Sequence, residues 1–289
     1  MIAQTQKLPA GLYFVATPIG AARDITLHAL DILASADVLV AEDTRSLRRL
    51  MGIHGVPVDG RKVISHHDHS GAQSQAGILA LIEQGHSVAY ASEAGTPLIA
   101  DPGFELSRAV AAAGHLVTAA PGACAVINAL TLAGLPTDRF LFLGFLPNAT
   151  QARRSALADV ADVSASLVFY ESPKRIAASL AAAADVLGAD RPAALCREMT
   201  KKFEQVLRAP LGELAAQVAH TPPKGEIVVV IDRALAKTHT NESIEVALQN
   251  AMLTHSLKDS SQLVAQAFGI PKRRVYQLAL ELDAGKTDE

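Results

Sequence analysis

Residues Ser87 to Ala119 read SVAYASEAGTPLIADPGFELSRAVAAAGHLVTA, and this stretch decides the fold class. A continuous apolar run, Ser87–Ala91, ends in a loop carrying Gly95, Pro97, Pro102 and Gly103. Apolar residues at helical spacing follow over Glu105–Ala113, and a second β-rich run, Leu116–Ala119, closes the unit. Strands that are apolar throughout, separated by helices, belong to sheets covered on both faces. The same alternation continues in both directions. Towards the N-terminus it predicts strands at Leu12–Ala16, Asp37–Ala41 and Val63–Ser65, with helices at Ile25–Ala34 and Ala76–Glu83. Towards the C-terminus it predicts strands at Phe140–Leu143, Leu167–Tyr170, Ala193–Cys196 and Ile227–Ile231, with helices at Ile176–Leu187 and Leu211–Ala219. The expected class is α/β, with parallel or mixed sheets.

The alternation pauses at the loop and helix around Pro121–Pro136. This places an N-terminal α/β domain at 11–120 and a C-terminal α/β domain at 121–233. After Arg233 the character changes to a polar linker and a helical tail, 240–285. Helices are expected at Ser243–Thr254, Ser260–Phe268 and Pro271–Leu282. Gly269 separates the last two, and Pro271 suits a first helical position. This resembles a helix-turn-helix, with Lys272, Arg273 and Arg274 where a recognition helix meets a phosphate backbone. A plain helical hairpin packed on the body is the competing use of the same pattern.

The 289 residues are 49% hydrophobic and 19% charged, which excludes general disorder. Lys and Arg number 26 against 29 Asp and Glu, a net charge of −3, so a polybasic protein is excluded and any nucleic-acid contact needs a local patch. Trp is absent and aromatics are 4%, which opposes a surface that stacks many bases. Two cysteines, Cys124 and Cys196, build neither a disulfide framework nor a four-cysteine zinc site. They read as small buried residues in a reducing compartment. No apolar run reaches membrane-spanning length and Met1–Ala10 has no signal-peptide core, so a cytoplasmic protein with no membrane partner is expected.

No G-x-G-x-x-G, P-loop, nucleophile-elbow or zincin motif occurs. Thr17–Gly20 followed about twenty residues later by Glu42 and Asp43 echoes a dinucleotide-binding fingerprint with one glycine of three, which leaves a Rossmann oxidoreductase as a runner-up. Unusual loops do concentrate at strand ends: Ser92–Pro97, Asp101–Gly103, Pro121–Ala123 and Tyr170–Pro173. Small residues and prolines there give a rigid backbone that a ligand approaches closely. Because ligands of open α/β sheets bind beyond the carboxyl ends of strands, loops from both halves are expected to build an interdomain cleft. The run His66-His67-Asp68-His69 has metal-ligand residue types, but no remote Cys or His cluster completes a shell. It reads as a loop lining a polar cleft, with no metal.

These segments carry a resemblance. ATPIG (Ala16–Gly20), DIT (Asp24–Thr26), AEDTR (Ala41–Arg45), HDH (His67–His69), AGTPLIADPG (Ala94–Gly103), GLPTDRF (Gly134–Phe140), GFLP (Gly144–Pro147), YESPKR (Tyr170–Arg175), REMTK (Arg197–Lys201) and KGE (Lys224–Glu226) run in order from Gly11 to Asp232. The chain resembles the tetrapyrrole methylase superfamily, and within it the branch that methylates small-subunit ribosomal RNA. The tail resembles that branch's helical extension. The resemblance implies two α/β domains with S-adenosylmethionine in the cleft between them, and a homodimer. It implies 2′-O-methylation of a cytidine (cytidine 1402) in the decoding region of 16S rRNA, on the assembled 30S subunit. Four positions depart from the family pattern: Ala21 for Asn, Glu93 for Asp, Cys124 for Ser and Lys174 for His. They imply an altered pocket lining rather than a lost one.

Methyl transfer to a ribose hydroxyl is an in-line displacement, helped chiefly by positioning and then by a base. Candidate bases are His67, Glu42, Asp43 and Glu171. Expected cofactor-binding residues are Pro18, Glu93, Ala94, Gly95, Thr96, Pro97, Asp101, Pro121, Gly122, Cys124 and Tyr170, with Lys224, Gly225 and Glu226 on the second-domain side. Arg45, Arg175, Arg197 and Lys201, with Lys272, Arg273 and Arg274 of the tail, are expected to grip RNA phosphates; surface ion pairing is the other use of each cleft cation. A tetrapyrrole (corrin or precorrin) C-methyltransferase and a non-enzymatic ribosome-assembly factor are the alternative functions.

Overall fold

The computed structural model of the chain describes residues 3–67, 71–234 and 241–284. The chain divides into two compact units, Met1–Ala234 and Leu235–Glu289.

The first unit begins with five strands that are parallel throughout: β1 (Gly11–Val15), β2 (Val38–Ala41), β3 (Lys62–Ser65), β4 (Ser87–Ala91) and β5 (Leu116–Ala120), in the order β3-β2-β4-β1-β5. Their apolar continuity follows from coverage on both faces. Tyr13, Val15, Leu39 and Ala89 point to one face, where α1 (Leu27–Ser35) and α2 (Thr44–Ile53) bury Leu33 and Met51. Leu12, Phe14, Val40 and Tyr90 point to the other, where α3 (Gly71–Glu83) and α4 (Phe104–Ala112) bury Ile78, Ile82, Leu106 and Val110. Caps set the helix starts. Thr26 Oγ1 accepts from Ala29 N in α1, and Asp43 Oδ1 accepts from Arg45 N and Ser46 N in α2.

After β5 the chain leaves this sheet. Helix α5 (Ala125–Ala133) packs Val126, Ala129 and Leu130 on a second five-stranded sheet, against Val168, Cys196 and Val228. That sheet contains β6 (Phe140–Phe145), β7 (Ser166–Glu171), β8 (Pro192–Arg197), β9 (Gln205–Pro210) and β10 (Ile227–Ile231), in the order β6-β7-β10-β8-β9. It is mixed: β6 and β7 are parallel, while β10 runs antiparallel to both β7 and β8. Helices α6 (Thr150–Ala158), α7 (Ile176–Leu187) and α8 (Leu211–His220) cover its other face over Phe169, Leu195 and Val229.

The second unit has its own core. Helices α9 (Asn241–Met252), α10 (Leu257–Phe268) and α11 (Lys272–Ala284) bury Ile244, Leu248, Val264, Val275 and Ala279. Ser256 caps α10 by accepting from Asp259 N, and Gly269 ends it in the left-handed conformation at φ +63°.

Sequence periodicity located most elements within a few residues but missed α2, α6 and β9. α2 and α6 are short and polar on balance. β9 is a half-exposed edge strand with Arg208 and a terminal Pro210, so it lacks an apolar run. Among the described residues no helix is long and apolar enough to cross a membrane.

Candidate active site

Three loops leave the carboxyl edge of the first sheet and are bound to one another. Thr17, after β1, donates its N–H to Gly95 O at 2.9 Å and accepts from Gly95 N at 3.0 Å. Ser92 Oγ donates to the same Gly95 carbonyl at 2.5 Å, and Thr96 Oγ1 donates to Ala123 O, after β5, at 2.9 Å. Two glycines permit this closeness. Gly95 has φ +85°, and a Cβ on Gly122 would stand 2.8 Å from Ala16 Cβ. Leu98 and Ala100 also occupy positive φ, +70° and +58°, so the loop holds backbone strain next to the site.

The second sheet presents Phe145 from the end of β6, Tyr170–Pro173 from the end of β7, and Met199 beyond β8. Because β10 is antiparallel to β7 and β8, its first residues lie at this same edge. A cavity of about 350 Å³ lies between the two sets of loops, within the range of small-molecule sites. Ile19, Ile99, Phe145, Met199 and Val228 give it apolar walls. Three carboxylates, Asp101, Glu171 and Glu226, line it, and among the described residues no Lys, Arg or His does.

Of the expected cofactor residues, Ala94, Gly95, Thr96, Asp101, Cys124, Tyr170, Gly225 and Glu226 line the cavity. Pro18, Glu93, Pro97, Pro121, Gly122 and Lys224 do not. Glu93 is exposed, Gly122 packs behind the loop against Ala16, and Lys224 lines a different cavity. Of the four departures from the family pattern, only Cys124 is therefore in the wall. Ala21 instead donates its N–H to Thr200 Oγ1 at 2.9 Å, joining the first-sheet loop to the one after β8. The wall residues Ile19, Ile99, Phe145, Met199 and Val228 were missed, because an apolar residue beside a motif reads as core.

Of the four candidate bases, only Glu171 lines the cavity. Its side chain is fully buried and already engaged. Oε2 accepts from Ser179 Oγ at 2.6 Å, Oε1 accepts from Ser172 N at 2.8 Å, and Arg175 Nη2 lies 3.3 Å from Oε2. Asp43 is the α2 cap. Its hydrogen bonds from the Arg45 side chain and backbone hold its carboxyl below the usual range, making it a weak base. Glu42 is outside the wall, and its carbonyl accepts from Ser65 Oγ. His67 is exposed and also outside the wall, whereas Asp68 and His69 lie outside the described residues. Among the described residues no cluster of three His, Cys, Asp or Glu forms a metal site.

Burial first, then neighbouring Cys124 and Asp101, raise the Tyr170 phenol, which stays protonated at neutral pH. Burial pushes the Cys196 thiol up to about 11, leaving it an inert core residue.

The expected phosphate-gripping cations are mostly committed inside the protein. Arg175 Nη2 donates to Leu146 O as well as pairing with Glu171. Lys201 Nζ bridges Glu198 at 3.0 Å and Glu226 at 2.7 Å. Arg197 donates through Nε to Gln205 Oε1 and through Nη1 to Lys224 O. Arg45 is highly exposed and paired with Asp43 at 3.2 Å. In the helical unit, Lys272 Nζ donates to Gln262 Oε1 and Arg274 Nη2 to Asn241 Oδ1, while Arg273 has no partner among the described residues.

The fit to a sulfonium methyl donor is chemical. A cationic sulfur suits a wall that presents Asp101 and has no Lys, Arg or His among its described lining residues, while Arg175 and Lys201 pair with Glu171 and Glu226 from outside the lining.

Comparison with known proteins gives the family. The profile of the Tetrapyrrole (Corrin/Porphyrin) Methylases matches residues 11–215, and that of the RsmI C-terminal HTH domain matches 239–283. A ribosomal RNA small subunit methyltransferase I from Mesorhizobium japonicum is 40% identical over 98% of this chain and 97% of its own length. The protein of that name from Escherichia coli O157:H7 is 40% identical over 93% of this chain and 94% of its own. Among solved structures, uroporphyrin-III C-methyltransferase from Thermus thermophilus, complexed with S-adenosylhomocysteine, shares the fold. Its TM-score is 0.52 at 18% identity, over 78% of this chain and 98% of that one.

Proposed function

Since the chain belongs to the tetrapyrrole methylase family, and within it to the ribosomal RNA small subunit methyltransferase I group, we propose that it methylates the ribose 2′-oxygen of cytidine 1402 in 16S rRNA. The methyl donor is S-adenosylmethionine. The substrate is the assembled 30S subunit, and the enzyme acts as a cytoplasmic homodimer, as the family resemblance implies.

One observation carries the donor assignment: the cavity between the two sheets has Asp101, Glu171 and Glu226 in its wall and, among the described residues, no cation in its lining, with Arg175 and Lys201 pairing with Glu171 and Glu226 from outside it. When bound, S-adenosylmethionine supplies an activated methyl carbon on its sulfonium. The protein's part is positioning. The Thr17–Gly95 pairing and the Thr96–Ala123 hydrogen bond hold one wall, and the Glu171–Ser179–Arg175 group holds the other. A reactant fixed between rigid walls loses the freedom that makes in-line transfer slow in solution. The apolar side chains Ile99, Phe145 and Met199 line the same space and give an apolar methylene or ring surface something to pack on. Glu171 is a positioning residue here, because both its oxygens are occupied by the protein.

The test is transfer of tritiated methyl from S-adenosylmethionine to small subunits prepared from a strain lacking the modification, with the labelled nucleotide mapped. Label at the ribose of cytidine 1402 is the expected result. No transfer at saturating donor would replace the enzyme reading with that of a binding factor.

A further inference from the structure

We propose that a second cavity, against the same strand ends as the first, is a binding site for the single-stranded RNA backbone flanking the target nucleotide. The proposal rests on the RNA-directed reading above and assigns the place where that RNA is held.

This cavity has a volume of about 500 Å³ and is walled by Arg197, Lys224 and His220, the amides of Gln205 and Gln217, and Thr221, beside apolar Leu207 and Val218; no Asp or Glu lines it among the described residues, although the Glu198 carboxylate acts on Arg197 from outside the wall. It is the electrostatic opposite of the first cavity, and the two share a thin partition. Arg197 ends β8 and faces the second cavity, while Met199 lines the first. Lys224 lines the second, while Gly225 and Glu226, the next residues before β10, line the first. Consecutive Cα atoms are about 3.8 Å apart, so the partition is only one or two residues thick. A nucleotide whose ribose reaches the methyl-donor cavity leaves its flanking phosphodiester beside Arg197 and Lys224.

The cationic groups are prepared for an anion. Gln205 Oε1 and the Lys224 carbonyl hold Arg197 through Nε at 2.8 Å and Nη1 at 2.9 Å, which fixes the guanidinium plane. Its Nη2, the Lys224 ammonium and the His220 ring have no partner among the described residues. A fixed guanidinium edge with an adjacent ammonium is a phosphate-binding arrangement.

A second observation points to a nucleic-acid strand rather than a free phosphate. Phe203, two residues before Gln205, is 63% exposed, and Lys202 Nζ lies 5.6 Å from its ring centroid. Phe203 is outside the cavity wall but two residues from its lining residue Gln205, and an exposed aromatic ring is a stacking platform for an unpaired base. The competing use of Lys224 and His220 is to neutralise the negative carboxyl end of α8, which closes with His220.

Steady-state methyl transfer to small subunits separates these. Lys224→Glu and Phe203→Ala should each raise KM for subunits about tenfold, with kcat within about twofold of wild type. Affinity for S-adenosylhomocysteine by calorimetry should be unchanged. Lys224→Arg should restore KM, and Lys224→Gln should lower the slope of log affinity against log salt by about 0.7. Lys62→Glu, at the start of edge strand β3 and far in the chain from both cavities, makes the same charge change and should leave KM unaltered. Unchanged KM in Lys224→Glu, or an equal rise in Lys62→Glu, overturns the site. A lower melting temperature with unaltered KM assigns Lys224 to the α8 end instead. If wild type itself transfers no methyl to subunits, the RNA-directed reading fails and this proposal with it; transfer with unaltered variant KM refutes this proposal alone.

Discussion

Ser179→Ala removes one hydroxyl from the buried face of α7 and tests how the second wall of the methyl-donor cavity is held. In the native protein Ser179 Oγ donates to Glu171 Oε2 at 2.6 Å, and the Glu171 side chain is fully buried. Without that donor, Oε2 keeps only Arg175, at 3.3 Å. A hydrogen bond to a buried charged group contributes about 1.5–3 kcal/mol. In a unit of this size each kcal/mol moves the midpoint by about 2–4 °C, so thermal melting followed by circular dichroism should fall by roughly 3–12 °C. The loss should reach the site, because the Ser172 N–H donates to Glu171 Oε1 and both Ser172 and Pro173 line the cavity. Glu171→Gln supplies the complementary measurement. As a positioning residue, its amide still meets Ser179, and kcat should drop only a few-fold; a general base would cost about 10²–10⁴. The double variant should show coupling of more than about 0.5 kcal/mol. A midpoint shift below about 1 °C in Ser179→Ala, or independent effects of the two substitutions, would refute the reasoning.

Gly95→Val places a branched side chain at φ +85°, with a Cβ 3.2 Å from Ile19 Cγ2, and calorimetry should detect no S-adenosylhomocysteine binding; unchanged affinity would remove this cavity as the donor site. Asp37 accepts from Ser87 Oγ at 2.6 Å and Ser87 N at 2.8 Å, and these bonds lower its pKa. A depressed carboxyl contributes stability that is complete above its unfolded value near 4 and is lost as pH falls through the folded value. Melting curves of wild type and Asp37→Asn should therefore differ at neutral pH and converge in acid; a gap that persists below the folded pKa would contradict the linkage. Replacing Lys272, Arg273 and Arg274 together by Ala should weaken small-subunit binding and flatten its salt dependence without altering S-adenosylhomocysteine affinity. Unchanged binding and slope would make the start of α11 a packing element, as its bonds to Gln262 and Asn241 allow.

Much of the fold was legible because it is written in short-range pattern. The runs at Leu12, Val38 and Val88 are apolar at every position, as strands covered on both faces must be. The elements that escaped notice have weaker local signals. Asp43 looked like half of an acidic pair until its bonds to Arg45 N and Ser46 N showed it to be the cap of α2. β9 borrows its order from pairing with β8 along the edge of the sheet, which no six-residue pattern announces.

The site divides along the same line. The loops at Ala94–Gly103, Pro121–Cys124 and Tyr170–Pro173 were recognisable by composition, since glycine, proline and small residues at strand ends are needed wherever backbone approaches backbone. Net charge was uninformative: the total of −3 conceals one cavity lined by carboxylates and another lined by cations. Sequence alone determined the α/β class, the glycines of the loops and the residues available for chemistry, because these depend on neighbours within a turn or a strand. Tertiary structure alone decided which of those residues are free to act. Arg175 is taken by Glu171 and the Leu146 carbonyl, Lys201 by Glu198 and Glu226, and the Ala21 amide by Thr200, 179 positions away. A charge is spent or available according to what folds against it, and partners so distant in the chain leave no trace in local periodicity.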